Sequence, residues 1–177
     1  MIEKEVYRKI YEKLDKVNPV PYDCGEICGA VCCMRESFDG GEEPYLYLLP
    51  GEKEFLEEEG ADFEIKREPR EEHDLPDSYG EYVYAVYCKK PGSCNRRFRP
   101  IQCRTFPLWP YITEDGDLLL SFYNDELPYE CPLIEEKRVL SEEFVKATYE
   151  AWEILTEDEA VREMVAADSR KRPESRL

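Results

Sequence analysis

Eight cysteines among 177 residues are the feature that most constrains this chain. Four of them fall within ten residues, in a C-x3-C-x3-C-C pattern, and the other four are spread over a longer stretch further along. A chain of this length buries enough apolar surface to fold without cross-links, so its cysteines need another explanation. The first cluster contains Cys24, Cys28, Cys32 and Cys33, and the second cluster contains Cys88, Cys94, Cys103 and Cys131.

The compartment decides what such cysteines do. The first twenty residues carry charges every few positions, so they lack the apolar stretch of a secretory signal. No run of 18 apolar residues predicts a membrane span. We therefore expect a cytoplasmic protein, in which thiols are kept reduced. This favours metal binding over the two alternatives, a disulfide framework and a set of unrelated buried thiols.

The spacing of the first cluster limits how it can bind one ion. In a straight helix Cys24 and Cys32 would lie about 12 Å apart along the axis. Two sulfurs on one tetrahedral zinc lie only about 3.8 Å apart. Either the helix breaks, which Gly25 and Gly29 permit, or the ligands divide between sites. Adjacent Cys32 and Cys33 are expected to point in different directions and to divide their roles. The alternative is a helix of small residues that buries its thiols as apolar groups.

The second cluster is looser, with five, eight and twenty-seven residues between successive cysteines. A Pro-Gly pair predicts a turn between Cys88 and Cys94, and two prolines restrict the backbone around Cys103. Cys131 follows a predicted hairpin, where the chain can return to the other three. For Cys131 alone, a buried core thiol is the competing interpretation.

Charge sets the second cluster apart. The chain has 24 basic and 41 acidic residues, a net charge of -17, which argues against nucleic-acid and anionic membrane partners. Residues 88–113 contain no acidic residue. Their guanidinium groups, Arg99 and Arg104 in particular, could offset the charge of a metal–thiolate centre. A solvated basic face and a pocket near 89–104 for an anionic small molecule or partner remain alternatives. The basic side chains are Lys89, Lys90, Arg96, Arg97, Arg99 and Arg104.

His73 is the only histidine, so a Cys₂His₂ zinc finger lacks its second histidine. It lies in an acidic stretch, Glu-Glu-His-Asp, and a surface histidine is the expected interpretation. The thirteen tyrosines are assigned to packing, and no catalytic residue is identified.

The rest of the sequence predicts an α+β fold, with helices at both ends around a small antiparallel sheet. Apolar residues at helical spacing predict a helix over 2–17, and a second, short helix is expected over 52–59. Strands are expected over 61–66 and Tyr82–Tyr87. An Asp-Gly pair between two apolar runs predicts a hairpin over 108–123. Residues 68–79 are expected to form a solvated loop.

Two further helices are expected near the C-terminus. Ser141 is the expected N-cap of the first, and Thr156 with Glu159 forms a capping-box pattern for a second that continues to Ala166. We expect a single metal-binding domain over 1–168, with its cysteine core at 22–133, and a disordered tail over 169–177.

Three motifs carry a family resemblance. They are DCGEICGAVCC at 23–33, LPGE at 49–52 and RPIQCRTFP at 99–107. Together they resemble the YkgJ-type cysteine-cluster family, described as zinc- or iron-chelating, and more distantly the cysteine motifs of flagellin lysine N-methylases. Members of that family typically show C-x2-C-x2-C-C, whereas this chain has three residues in each gap. The resemblance covers residues 22–133 and implies that both clusters build one shared site.

The sequence therefore predicts a cysteine-rich metal-binding protein with a structural or accessory role. The cofactor is zinc or a [4Fe–4S] cluster, because cysteine-only ligation suits both. Zinc is favoured, since neither cluster has a ferredoxin spacing. The alternative is an iron–sulfur enzyme with redox or protein methyl-transfer activity.

Overall fold

The computed structural model describes residues 1–34, 45–87, 95–124 and 127–172. Its helices and strands form an α+β fold, as the sequence predicts. The helices are α1 Lys4–Leu14, α2 Gly25–Cys28, α3 Glu52–Glu58, α4 Ile101–Thr105, α5 Pro132–Glu135, α6 Glu142–Leu155 and α7 Glu159–Ser169. The strands are β1 Tyr45–Tyr47, β2 Glu64–Pro69, β3 Tyr82–Tyr87, β4 Leu108–Ile112 and β5 Leu118–Phe122.

Two antiparallel sheets lie between the terminal helices. In the first, β3 is central and pairs with β1 on one side and β2 on the other, so that Ala85 faces both Tyr47 and Lys66. In the second, β4 pairs with β5. The main core packs α1, α3, α6 and α7 against these sheets, and its largest fully buried side chain is that of Trp152.

Elements with strong local signals form where the sequence predicts them. Strand β3 has the predicted bounds, and the hairpin β4–β5 turns through Gly116, whose φ of 89° suits glycine. Ser141 caps α6 by accepting a 3.1 Å hydrogen bond from the Phe144 backbone N–H. The periodic N-terminal segment forms α1 over a shorter range than predicted.

The segment 68–79 is more ordered than the predicted solvated loop. It contains the end of β2 and two 3₁₀ turns, Arg70–Glu72 and Asp77–Tyr79. The Tyr79 hydroxyl donates a 3.1 Å hydrogen bond to the Leu48 carbonyl, which ties the second turn to the end of β1. This contact is long-range, so local hydrophilicity does not reveal it.

The C-terminal region also differs from the prediction. Asp158, not Thr156, caps α7, because its carboxylate accepts from the N–H groups of Ala160 and Val161. The Thr156 hydroxyl instead donates to the Trp152 carbonyl at 2.8 Å. The tail does not begin at 169, since Ser169 is buried in α7 and Arg172 donates to the Pro110 carbonyl at 3.0 Å. Residues 173–177 lie outside the described residues.

Among the helices of the described ranges, none has both the length and the apolar character needed to cross a bilayer.

Candidate metal centre

One cavity of about 490 Å³ brings together cysteines from distant parts of the chain. Its walls come from the 23–33 segment, from α4 and from the start of α5, with strands β1 and β3 on another side. We call it the cysteine cavity. The cysteines that line it are Cys24, Cys28, Cys32, Cys33, Cys103 and Cys131. Cys88 and Cys94 lie outside the described residues.

The first cluster reaches the cavity because its helix breaks. Helix α2 ends at Cys28, and Gly29 and Ala30 both adopt left-handed backbone conformations, with φ values of 67° and 58°. A 3₁₀ turn, Val31–Cys33, then carries the last two thiols. Of the two predicted alternatives, the structure has the broken helix. Glycine accepts this conformation easily, whereas an alanine there is uncommon and marks a local strain.

Cys32 and Cys33 do not point apart as expected. Their sulfurs lie 3.9 Å apart within the 3₁₀ turn. This separation is close to the roughly 3.8 Å between two sulfurs on one tetrahedral zinc. Cys28 lies one turn of α2 beyond Cys24, with its Sγ 3.9 Å from the Cys24 carbonyl oxygen.

Cys103 lies on α4, a short helix anchored by a buried carboxylate. Glu52 is fully buried and accepts 2.7 Å hydrogen bonds from the Tyr11 hydroxyl and the Ile101 backbone N–H, with a third at 3.0 Å from the Leu49 N–H. Burial raises the pKa of Glu52. These bonds join α1, α3 and α4, and so fix the position of Cys103 relative to the core.

Cys131 immediately precedes α5 and is buried, at 7% exposed. It packs in a small apolar cluster with Val20 and Leu133, and Cys24 contacts the same cluster. Cys131 is therefore a buried thiol, as the competing interpretation expected, and it also lies beside a cysteine of the first cluster. The two interpretations are compatible in this fold.

The thiols of the cavity interact electrostatically. Burial raises the pKa of Cys24 to about 11, with further contributions from Asp23 and Cys28. The hydrogen bond with Cys33 raises the pKa of Cys32, and the proximity of Cys103 adds to it. Burial also raises the pKa of Cys131. These thiols hold their protons at neutral pH, so binding of a metal ion would have to displace those protons.

Arg99 and Arg104 have different positions. Arg99 lines the cysteine cavity, and its guanidinium lies 3.3 Å from the Asp23 carboxylate. Its positive charge partly offsets the rise in the pKa of Cys24 that burial causes. The Arg104 side chain is fully buried and points elsewhere: it binds Asp15 at 2.6 Å and the carbonyls of the 96–99 turn. Arg104 was predicted, together with Arg99, to offset the charge of a metal–thiolate centre, whereas its described contacts hold the turn that carries Arg99.

The other described members of the basic segment also contact the fold. Arg96 donates to the carbonyls of Leu14, the last residue of α1, and Val17, and Arg97 pairs with Glu59. These contacts disfavour a purely solvated basic face. Lys89 and Lys90 lie outside the described residues.

The donor set of the cavity fits a thiophilic ion or cluster in composition, because it contains several thiols and one nearby guanidinium. In the described ranges, however, no three side chains of cysteine, histidine, aspartate or glutamate converge closely enough to hold a metal ion.

Comparison with known proteins adds no relative: no family model, curated protein or solved structure matches this chain. The YkgJ-type resemblance therefore stays a prediction from the motifs alone.

Sequence reasoning missed several residues that shape this region. Glu52 was seen only as part of a motif, although it anchors α4. His73, expected at the surface, is instead half-buried between Tyr47 and Glu68, with its Nδ1 2.6 Å from the Tyr47 hydroxyl. No local pattern in the 68–79 segment indicates these contacts.

Proposed function

We propose that this protein is a cytoplasmic metal-binding protein whose cysteines hold zinc or an iron–sulfur cluster in the cysteine cavity. One observation carries the proposal: six cysteines from three separate segments line a single cavity. Cysteines that served only as small apolar residues would have no reason to gather from 24–33, 103 and 131 around one space.

Zinc is the preferred ion. The 3.9 Å separation of the Cys32 and Cys33 sulfurs is close to the spacing that tetrahedral zinc imposes. The remaining ligands would come from Cys24, Cys28, Cys103 and Cys131, and from Cys88 and Cys94 of the second cluster. Arg99, on the cavity wall, supports a centre of net negative charge.

The role that follows is structural or accessory. Metal ligation by cysteines from three segments would hold the loops at 23–33 and 127–131 against the α+β frame. A structural zinc site contributes on the order of 10 kcal/mol, which is comparable with the net stability of a whole domain.

A second candidate is an iron–sulfur enzyme with redox or protein methyl-transfer activity. The observation that favours it is room for a substrate beside the thiols. The cavity has an apolar wall, formed by Phe106, Trp109 and Leu133 among others. Its volume of about 490 Å³ lies in the range of small-molecule sites.

The experiment is metal analysis with an absorption spectrum on protein purified without oxygen. Stoichiometric zinc in a colourless sample supports the structural role. A brown sample with iron and acid-labile sulfide supports the second candidate. Protein that contains no metal as purified, and binds neither zinc nor reconstituted iron and sulfide, would exclude both candidate functions.

A further inference from the structure

A second group of metal-ligating side chains lies on the three-stranded sheet, apart from the cysteines. The Tyr47 hydroxyl on β1 is 2.6 Å from Nδ1 of His73, and the two rings lie 4.7 Å apart. On the other side of the imidazole, Nε2 is 2.9 Å from the Glu68 carboxylate on β2. His73 therefore bridges the two outer strands of the sheet across β3.

A second phenol adjoins this group. The Tyr45 hydroxyl is 3.5 Å from that of Tyr47, because residues two apart on β1 point to the same face. The Tyr45 ring also stacks on Tyr87 at 5.4 Å, and Tyr87 hydrogen-bonds to Glu68. Tyr45 is 51% exposed, so solvent reaches the group.

The arrangement has the layout of a metal site with its supporting residues. Two phenol oxygens and one imidazole nitrogen meet at the Tyr47 hydroxyl. The Glu68 carboxylate lies 2.9 Å from the opposite imidazole nitrogen, so Nδ1 is the ring nitrogen that faces the phenols. Carboxylates support metal-binding histidines in this way in many proteins. This cluster offers phenol oxygens and no thiol, so it is separate from the cysteine cavity.

We propose that Tyr45, Tyr47 and His73 bind a ferric ion on the outer face of the sheet, with Glu68 as the residue that orients His73. Phenolate is a hard, anionic oxygen donor, and hard donors with imidazole suit iron rather than the soft ions that thiolates select. Binding releases the two phenol protons to solvent, His73 binds through an Nδ1 that carries no proton, and the iron stays ferric.

The test is a titration of the whole protein with ferric iron supplied as its citrate chelate. We expect a visible phenolate-to-iron charge-transfer band that saturates at one iron per chain, with tyrosinate modes in the resonance Raman spectrum. Tyr47→Phe and His73→Gln should abolish the band. Glu68→Gln keeps all three ligands and should weaken iron binding about 10- to 100-fold.

Tyr82→Phe is the matched control. Tyr82 is an exposed tyrosine of the same sheet, and its ring packs on the Arg67 guanidinium at 3.4 Å, away from His73. This variant should keep the full band. Circular dichroism and thermal melting check that each variant is folded, and gallium(III), which cannot oxidise thiols, repeats the titration through the ultraviolet absorption of ionised tyrosine.

The outcomes separate clearly. Absence of the band, a band that persists in Tyr47→Phe and His73→Gln, or equal loss in Tyr82→Phe would overturn the proposal. The metal content of the cysteine cavity is measured in the same samples and should not change in the tyrosine variants, so failure at one site is distinguishable from failure at the other.

Discussion

The Glu52 carboxylate accepts a 2.7 Å hydrogen bond from the backbone N–H of Ile101, 49 residues further along the chain. This bond links the LPGE motif to the segment that carries Cys103. The same carboxylate accepts from Tyr11 on α1, so three elements of the core meet at one buried acid. The cysteine cavity is thus supported from behind by a polar contact that has no cysteine in it.

Glu52→Gln should therefore destabilise the fold. An amide has one acceptor oxygen, and its NH₂ group would face a backbone N–H that now donates to the carboxylate. One unsatisfied buried group costs about 1–3 kcal/mol. Urea unfolding measures the loss, with Glu57→Gln as control, because Glu57 is an exposed residue of the same helix paired with Lys53. Equal stability of the two variants would contradict the assignment.

The cost of Glu52→Gln should also depend on pH. Burial raises the pKa of Glu52 above its ordinary value of 4.5, so the folded protein holds this proton more tightly than the unfolded chain. Its protonation contributes stability that is fully present below pH 4.5 and is lost as the pH rises through the raised pKa. The amide does not titrate. The difference in unfolding free energy between wild type and variant should shrink as pH rises, and a difference that grows would be inconsistent with this sign.

Gly51→Ala tests the docking of the N-terminal segment. Gly51 has a φ of 92°, and a Cβ there would lie 2.2 Å from the Ile2 carbonyl oxygen. Gly60 has a similar φ of 77° but no atom within 4 Å of its Cβ position. Gly60→Ala should cost about 1–2 kcal/mol from backbone strain alone, and Gly51→Ala clearly more. Thermal melts of both variants give the comparison, and equal losses would exclude the close contact.

Arg104→Lys should loosen the turn that presents Arg99. The Arg104 guanidinium binds Asp15 and three carbonyls at once, and an ammonium cannot reach all four acceptors. The expected loss is about 2–3 kcal/mol, measured by thermal melting. Arg97→Lys is the control, because the Arg97 side chain is 64% exposed and its ion pair with Glu59 survives the change. An unchanged melting temperature in Arg104→Lys would show that the turn does not depend on the hydrogen bonds of the guanidinium.

How far the sequence predicts this structure depends on the range of the signals. The hairpin, β3 and the Ser141 cap follow from neighbours within a few residues, and these predictions are confirmed. The role of Glu52 does not follow, because nothing local distinguishes it from Glu54 or Glu57 on the same helix. Its burial depends on partners on α1 and α4.

The candidate site shows the same division. Cysteine spacing predicted that the helix of the first cluster breaks or that its ligands divide between two sites. The left-handed conformations of Gly29 and Ala30 show that the helix breaks. The Cys32 and Cys33 sulfurs approach each other in the 3₁₀ turn that follows this break, and their adjacency in sequence does not predict the approach. Likewise, the contact of His73 with Tyr47 joins residues 26 apart, across a segment expected to be solvated.

The proposed metal centre predicts that a chelator should destabilise the protein strongly. If cysteines from separate segments hold one centre, a chelator that strips it removes stabilisation on the order of 10 kcal/mol, and the metal-free chain should unfold near or below room temperature. Circular dichroism before and after chelation under reducing conditions measures this. A metal-free protein that keeps its full melting temperature would exclude a structural role.

The most direct test of the central claim is the metal content per chain of two single variants, Cys28→Ser from the first cluster and Cys103→Ser from the second, purified without oxygen beside the wild type. Val31→Ala, which alters the cavity wall but removes no thiol, is the control. A shared centre predicts that both serine variants lose the same metal while the control keeps it. Full wild-type metal content in Cys103→Ser would contradict a centre built from both clusters.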